Sequence, residues 1–106
     1  MSRMNRKTQH AINFLKPFFE NDRAIDEVRL FGSQARNDFN ENSDIDLAII
    51  SDNINAVKFG LLHRVAVDNH LEVDFVYTNW DKVKFSKYEL DVNYWIHREG
   101  VTIWKR

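Results

Sequence analysis

Asp44-Ile45-Asp46-Leu47-Ala48-Ile49-Ile50 alternates acid and aliphatic for three residues, then becomes apolar on both faces. A strand that buries both faces belongs in the interior of a sheet. The pattern therefore predicts a central strand over Ile45–Ile50 with carboxylates at its entry. Upstream, Glu27-Val28-Arg29-Leu30 alternates and stops at Gly32, which reads as a short strand. Downstream, Leu71, Val73, Phe75 and Tyr77 share one face of a third strand, Leu71–Tyr77. Glu72, Asp74 and Val76 take its other face.

The segments between these strands carry helical spacing. Ala11, Ile12, Leu15 and Phe19 predict a helix over roughly Asn5–Glu20, which Pro17 should kink or end because proline removes a backbone donor. Ser51-Asp52-Asn53 is a plausible cap for a helix whose stripe is Ile54, Val57, Leu61 and Val65. Val83, Leu90, Tyr94 and His97 recur at near-helical spacing up to Gly100, an expected stop. Val101-Thr102-Ile103-Trp104 reads as a short last strand. Strands joined by a crossover helix favour a parallel pair. The expected class is α/β (α+β), a small mixed sheet with helices packed on it, in a single domain over residues 1–106.

Composition narrows the function. Fifteen Lys+Arg against sixteen Asp+Glu give a formal charge of -1, which excludes binding to nucleic acid by bulk charge. A nucleotide is not excluded, because bound metal can meet its charge. Zero cysteines rule out disulfides and thiolate zinc sites, consistent with a reducing cytoplasm. No apolar run approaches the roughly 20 residues of a membrane span, and Met1–Gln9 lacks a signal peptide's apolar stretch. The expected localisation is cytoplasmic.

The chemistry-bearing residues are Phe31-Gly32-Ser33, then ten residues, then Asp44-Ile45-Asp46, and later Val73-Asp74-Phe75. On a strand, residues two apart point the same way, so Asp44 and Asp46 face one side about 6–7 Å apart. Two ionised acids repel, at a cost on the order of 4 kcal/mol for 4 Å and an effective dielectric of 20. A divalent cation resolves the repulsion, and Mg²⁺ suits hard oxygen donors completed by water and phosphate. Asp74 has the parity to join the pair, and three acids can hold two ions about 3.5–4 Å apart. Gly32 lets backbone approach a phosphate, and Ser33 adds a hydroxyl at the start of a helical turn. Arg36 has two readings: a forked pair with phosphate, or a salt bridge to Asp38 or Asp44.

Rival motifs fail. Asp38, Asn40, Asn42 and Asp44 resemble the start of an EF-hand calcium loop, but Ser43 and Ile49 stand where it needs Gly and Glu. There is no Gly-Lys-Ser/Thr, so a P-loop is excluded. His10, His63, His70 and His97 show no metal-ligand spacing. Trp80, Trp95 and Trp104 with Phe18 and Phe19 offer either a partner surface or core packing, the commoner use. Arg3, Arg6 and Lys7 read as a solvated helix face.

Phe31-Gly32-Ser33-Gln34-Ala35-Arg36 and Ser43-Asp44-Ile45-Asp46-Leu47 resemble the motif of nucleotidyltransferases of the DNA polymerase beta superfamily, specifically the minimal nucleotidyltransferase (MNT) group. Glu72-Val73-Asp74-Phe75-Val76 looks like that family's third acidic strand, and Arg98-Glu99-Gly100-Val101 also looks like minimal members. The resemblance implies the polymerase-beta-like fold and a two-Mg²⁺ reaction with ATP as substrate. It implies catalytic and metal roles for Asp44, Asp46 and Asp74, and nucleotide contacts from Gly32 and Ser33. A hydroxyl attacks the α-phosphate and pyrophosphate leaves. Larger relatives carry an acceptor-binding domain; a minimal chain takes its acceptor from another polypeptide. Several minimal members act as antitoxins of a helical HEPN protein, some by placing AMP on its tyrosine. The resemblance leaves open a non-catalytic antitoxin that works by docking. Transfer to a small molecule such as an aminoglycoside also stays open, with a homo-oligomer supplying the missing surface. Arg64 and His70 match the spacing of HEPN ribonucleases, but His70 opens a strand where those proteins are helical, so the match is accidental.

Overall fold

A computed structural model describes residues 5–36 and 44–106. The calcium-like residues Asp38, Asn40 and Asn42, and Arg3 at the start, lie outside the described residues. A four-stranded sheet in the order β3-β2-β1-β4 organises the chain. Its strands are β1 (Glu27–Phe31), β2 (Ile45–Ile50), β3 (Val73–Thr78) and β4 (Val101–Lys105). Strand β1 pairs antiparallel with β2 and β4, whereas β2 pairs parallel with β3. The mixed α+β class is as expected. Strand β2 lies inside the sheet and, Asp46 apart, is buried throughout, which accounts for its apolar run.

Helices cover both faces. On one face, Val28, Leu30, Ile45, Leu47 and Ile49 pack with Ala11, Leu15 and Phe19 of helix α1 (Arg6–Asn21) and Leu62 of helix α3 (Phe59–Asp68). On the other, Phe31, Ala48 and Ile50 meet Val83 of helix α4 (Trp80–Phe85) and Ile96 of helix α5 (Val92–Glu99). Each large aliphatic fully withdrawn from water contributes about 1.5–3 kcal/mol. Helix α2 (Ser33–Arg36) is one turn placed between β1 and β2.

Three expectations need correction. Pro17 does not end α1, which runs on to Asn21. Burial of Phe19 anchors the last turn, and the Arg106 guanidinium donates to the carbonyls of Phe19 and Asp22, which also accept from the amides of Asp22 and Ile25. Ser51-Asp52-Asn53 does not cap the next helix. A 3-10 turn (Ile54–Ala56) intervenes, and α3 starts at Phe59 after Lys58. The break resets the helical phase, so Leu62 and Ala66 are buried while Leu61 is exposed. Val83 and Tyr94 belong to separate helices, not one stripe. Asn79 caps α4 through the Lys82 amide, Asp91 caps α5 through the Asn93 amide, and Leu90 between them is wholly exposed.

Smaller expectations resolve similarly. Phe19 and Trp104 pack together, and Trp80 joins the second core, so these rings serve packing. Lys7 pairs with Glu72 at 2.7 Å, tying α1 to the residue before β3. His70 occupies a left-handed turn (φ 55°) between α3 and β3, outside any helix.

Candidate active site

Strand β1 ends at Phe31, and the chain reverses through Gly32 at φ +75°. Side chains disfavour that conformation, and a Cβ there would strike the Asp46 carboxylate. The Gly32 carbonyl accepts from the amides of Ala35 and Arg36, both at 3.1 Å, which closes the turn of α2. Buried Thr8 donates its hydroxyl to Gln34 at 2.8 Å, fastening α2 to α1. Ser33 therefore opens a helical turn held from two sides.

The register aligns the acids with this turn. Phe31 faces Asp46 across β1 and β2, and Asp46 faces Asp74 across β2 and β3. Parity puts Asp46 and Asp74 on the sheet face that carries α4 and α5, since Ala48, Ile50 and Val76 pack there. Asp44 lies one residue before β2 and is exposed. Burial pushes the Asp46 carboxyl above the usual carboxylate range, and the charges of Asp74 and Asp44 push it further. The Arg36 guanidinium works against them. Turn, acid and acid thus lie side by side at one rim of the sheet.

Among the described residues, no three acids or histidines stand close enough to hold a metal as they are. The donor set still fits magnesium: Asp44, Asp46 and Asp74 offer only hard oxygens, and Asp46 bears the charge of the other two.

Sequence reasoning missed two features. Arg36 donates to Glu99 of α5 at 2.9 Å, a partner 63 residues away that the sequence did not suggest; Asp38, one of the partners it did suggest, lies outside the described residues. The signal was present in the likeness of Arg98-Glu99-Gly100-Val101 to minimal members, but nothing in it pointed to Arg36. Second, Val92 and Trp95 of α5 join Phe31, Gly32 and Arg36 around a cavity of about 250 Å³. Trp95 is steadied by donating its indole N–H to the Glu89 carbonyl at 2.7 Å.

The family model for "Polymerase beta, Nucleotidyltransferase" matches residues 13–106. The chain belongs to that nucleotidyltransferase family, and its sheet with the Gly-Ser turn and acidic strands is the family's domain. Comparison with curated protein sequences finds no match. Among solved structures, it is similar to a chain of a toxin–antitoxin complex with AMP-PNP, at TM-score 0.59 and 22% identity, covering 93% of this chain and 73% of that one. It is similar at TM-score 0.58 and 19% identity to a chain of the tri-AMPylated Shewanella oneidensis HEPN toxin in complex with MNT antitoxin, with the same coverages. A Sulfolobus solfataricus protein described as a candidate nucleotidyltransferase aligns over 100% of this chain and 93% of its own, at TM-score 0.55 and 22% identity. These likenesses concern the fold. No helix among the described residues is long and apolar enough to cross a membrane.

Proposed function

We propose that residues 1–106 act as one Mg²⁺-dependent nucleotidyltransferase domain that moves AMP from ATP to a hydroxyl on a helical, HEPN-type partner protein, serving as its antitoxin in the cytoplasm. The observation that carries this is the row formed by the Gly32 turn, Asp46 and Asp74 at one sheet rim. The family match supports nucleotidyl transfer. The choice of acceptor is supported by similarity in fold to a complex that contains an AMPylated HEPN toxin.

In this reading Asp44, Asp46 and Asp74 hold the metal. When bound, magnesium supplies charge neutralisation to the triphosphate and makes the attacking hydroxyl more acidic. Gly32 and Ser33 hold the β- and γ-phosphates through backbone and hydroxyl, and Arg36 adds a cation beside them. Asp74 accepts the acceptor's proton as a new O–P bond forms at the α-phosphorus. The bond to the β-phosphate oxygen breaks, and pyrophosphate departs with its electron pair. Acids that repel one another in the free protein thus become a site for cations and phosphate.

Incubation with labelled ATP, Mg²⁺ and a HEPN-type partner should label the partner. Equal labelling by Asp46→Asn defeats the reading. Full neutralisation of the partner by an Asp44→Asn/Asp46→Asn double variant would mean that docking, not transfer, is the activity that matters.

A further inference from the structure

We infer that the elbow between α4 and α5, residues 85–92, is the surface on which the partner protein docks: an apolar knob flanked by lysines, fitted to a partner patch that is apolar with carboxylates at its edge. The inference rests on the transfer reading above and names where its acceptor protein sits. Nine large apolar side chains stand exposed among the described residues, and four of them, Phe85, Tyr88, Leu90 and Val92, fall within these eight positions. Phe85 is 72% exposed, Tyr88 is 76% exposed and Leu90 is wholly so. Together the four offer roughly 400 Å² of apolar surface, a size that on a monomer marks an interaction site. A standard interface takes about 800 Å² from each partner and is a little over half apolar. The elbow therefore supplies the apolar share of one side.

This exposure is built into the fold. The Ser86 hydroxyl donates to Asp91 Oδ2 at 3.0 Å, and the Asp91 amide donates to the Tyr88 carbonyl at 3.0 Å. The Trp95 indole ties the Glu89 carbonyl to α5. Asn93 donates to Asp91 from its backbone and its side chain, and it accepts the hydroxyl of Thr78, at the end of the strand that carries Asp74. Buried Val83 and Ile96 anchor the helices on either side. A segment tied at this many points holds its apolar groups in water at a standing cost, which a partner's surface removes. Because the knob is already ordered, docking gives up little conformational freedom.

Charge and location say what covers it. Between Asp81 and Asp91 three lysines balance three acids. The stretch thus has no net attraction for nucleic acid or an anionic membrane. Lys84 and Lys87, on either side of Phe85, are exposed and take no ion pair among the described residues. Carboxylates on a partner complement these two lysines and, at a rim, set the encounter rate and the register. Val92 belongs both to the knob and to the wall of the cavity of about 250 Å³ beside Gly32, where Trp95 joins it. Helices α4 and α5 also cover the sheet face to which Asp46 and Asp74 belong. A protein seated on the elbow lies on the side of the turn and acids, where its hydroxyl can be brought to them. A second copy of this chain would crowd that approach.

The test measures binding of the purified HEPN-type partner to the wild-type protein, Tyr88→Ser/Leu90→Ser, Lys84→Glu/Lys87→Glu and, as a control on α3, Val67→Ser. The apolar double variant should bind at least about thirtyfold more weakly, the size of a hot-spot loss. Its melting temperature and its calorimetric affinity for ATP with Mg²⁺ should be unchanged. In labelling, KM for the partner should rise while kcat holds. The lysine double variant should lose less and should weaken the salt dependence of association. Val67→Ser, equally exposed on another face, should bind as wild type does. Unaltered partner binding in Tyr88→Ser/Leu90→Ser overturns the inference and leaves the transfer reading standing. So does sedimentation that finds a wild-type dimer dissolved by the same two substitutions, which would make a second copy the occupant. Partner binding that depends on the elbow without any labelling would instead overturn the transfer reading and keep the docking surface.

Discussion

Asp46 and Asp74 are register partners on parallel neighbours β2 and β3, so two carboxylates that repel are fixed side by side. Burial and this neighbour, joined by Asp44, lift the Asp46 carboxyl above its usual range. In the free protein Asp46 is thus a source of instability at neutral pH, and that makes the electrostatics of the site measurable.

The native state holds the Asp46 proton more tightly than the unfolded chain does. Stability therefore falls as pH rises from the ordinary carboxylate value through the raised one, and the penalty persists above it. Asp46→Asn removes it. Without metal, the variant should melt higher than wild type at neutral pH, and the difference should vanish below the carboxylate range. Nucleotidyl transfer should meanwhile fall by at least about a hundredfold, the upper range for merely supporting groups around a metal. Coincident neutral-pH melting curves would mean the acids do not strain the fold.

Gly32→Ala should cost about 1–2 kcal/mol for a side chain in left-handed backbone. The added methyl should also displace the Asp46 carboxylate that packs against the glycine. Chemical denaturation measures the first effect. Loss of Mg²⁺-dependent ATP binding measures the second, and a variant that binds normally would show the close approach to be dispensable.

The buried Thr8–Gln34 hydrogen bond connects the first helix to the turn that carries Ser33 and Arg36. Thr8→Val keeps the shape and deletes the donor, which should cost roughly 1–3 kcal/mol. Because the bond holds α2 in place, ATP affinity should fall as well. A variant that loses stability alone would separate packing from site geometry.

Glu27 is 2% exposed, accepts from Arg29 Nε at 2.7 Å and accepts from the Thr102 hydroxyl at 2.7 Å. Arg29 also stacks on the Trp80 ring with its guanidinium carbon 4.8 Å from the centroid. Arg29→Met strands a buried carboxylate and should cost about 3–5 kcal/mol in urea unfolding. Thr102→Val keeps the ion pair and should cost about 1 kcal/mol. Equal losses would place the network's stability elsewhere.

Strand parity explains how much was readable from residues in order. Alternation identified β1 and β3, the doubly apolar run identified β2 as interior, and the crossover helix implied the parallel pair. Period-two geometry assigned Asp46 and Asp74 to sides of their strands, and the Gly-Ser turn and acids could be named as candidates together. Helix limits were less legible because distant contacts set them. Arg106 supports the end of α1 beyond Pro17, and caps at Asn79 and Asp91 divide a stretch whose spacing suggested one helix.

By itself, the sequence determined which residues could carry charge, which strands would bury both faces, and the order of turn and acids. These follow from side-chain chemistry and from a repeat of two residues, both local. Only tertiary structure decided that Asp46 meets Asp74, that Arg36 is taken by Glu99, and that Val92 and Trp95 wall the cavity. Those are through-space pairings between segments far apart in the chain, and strand register and helix packing, which set them, exist only after the whole core has condensed.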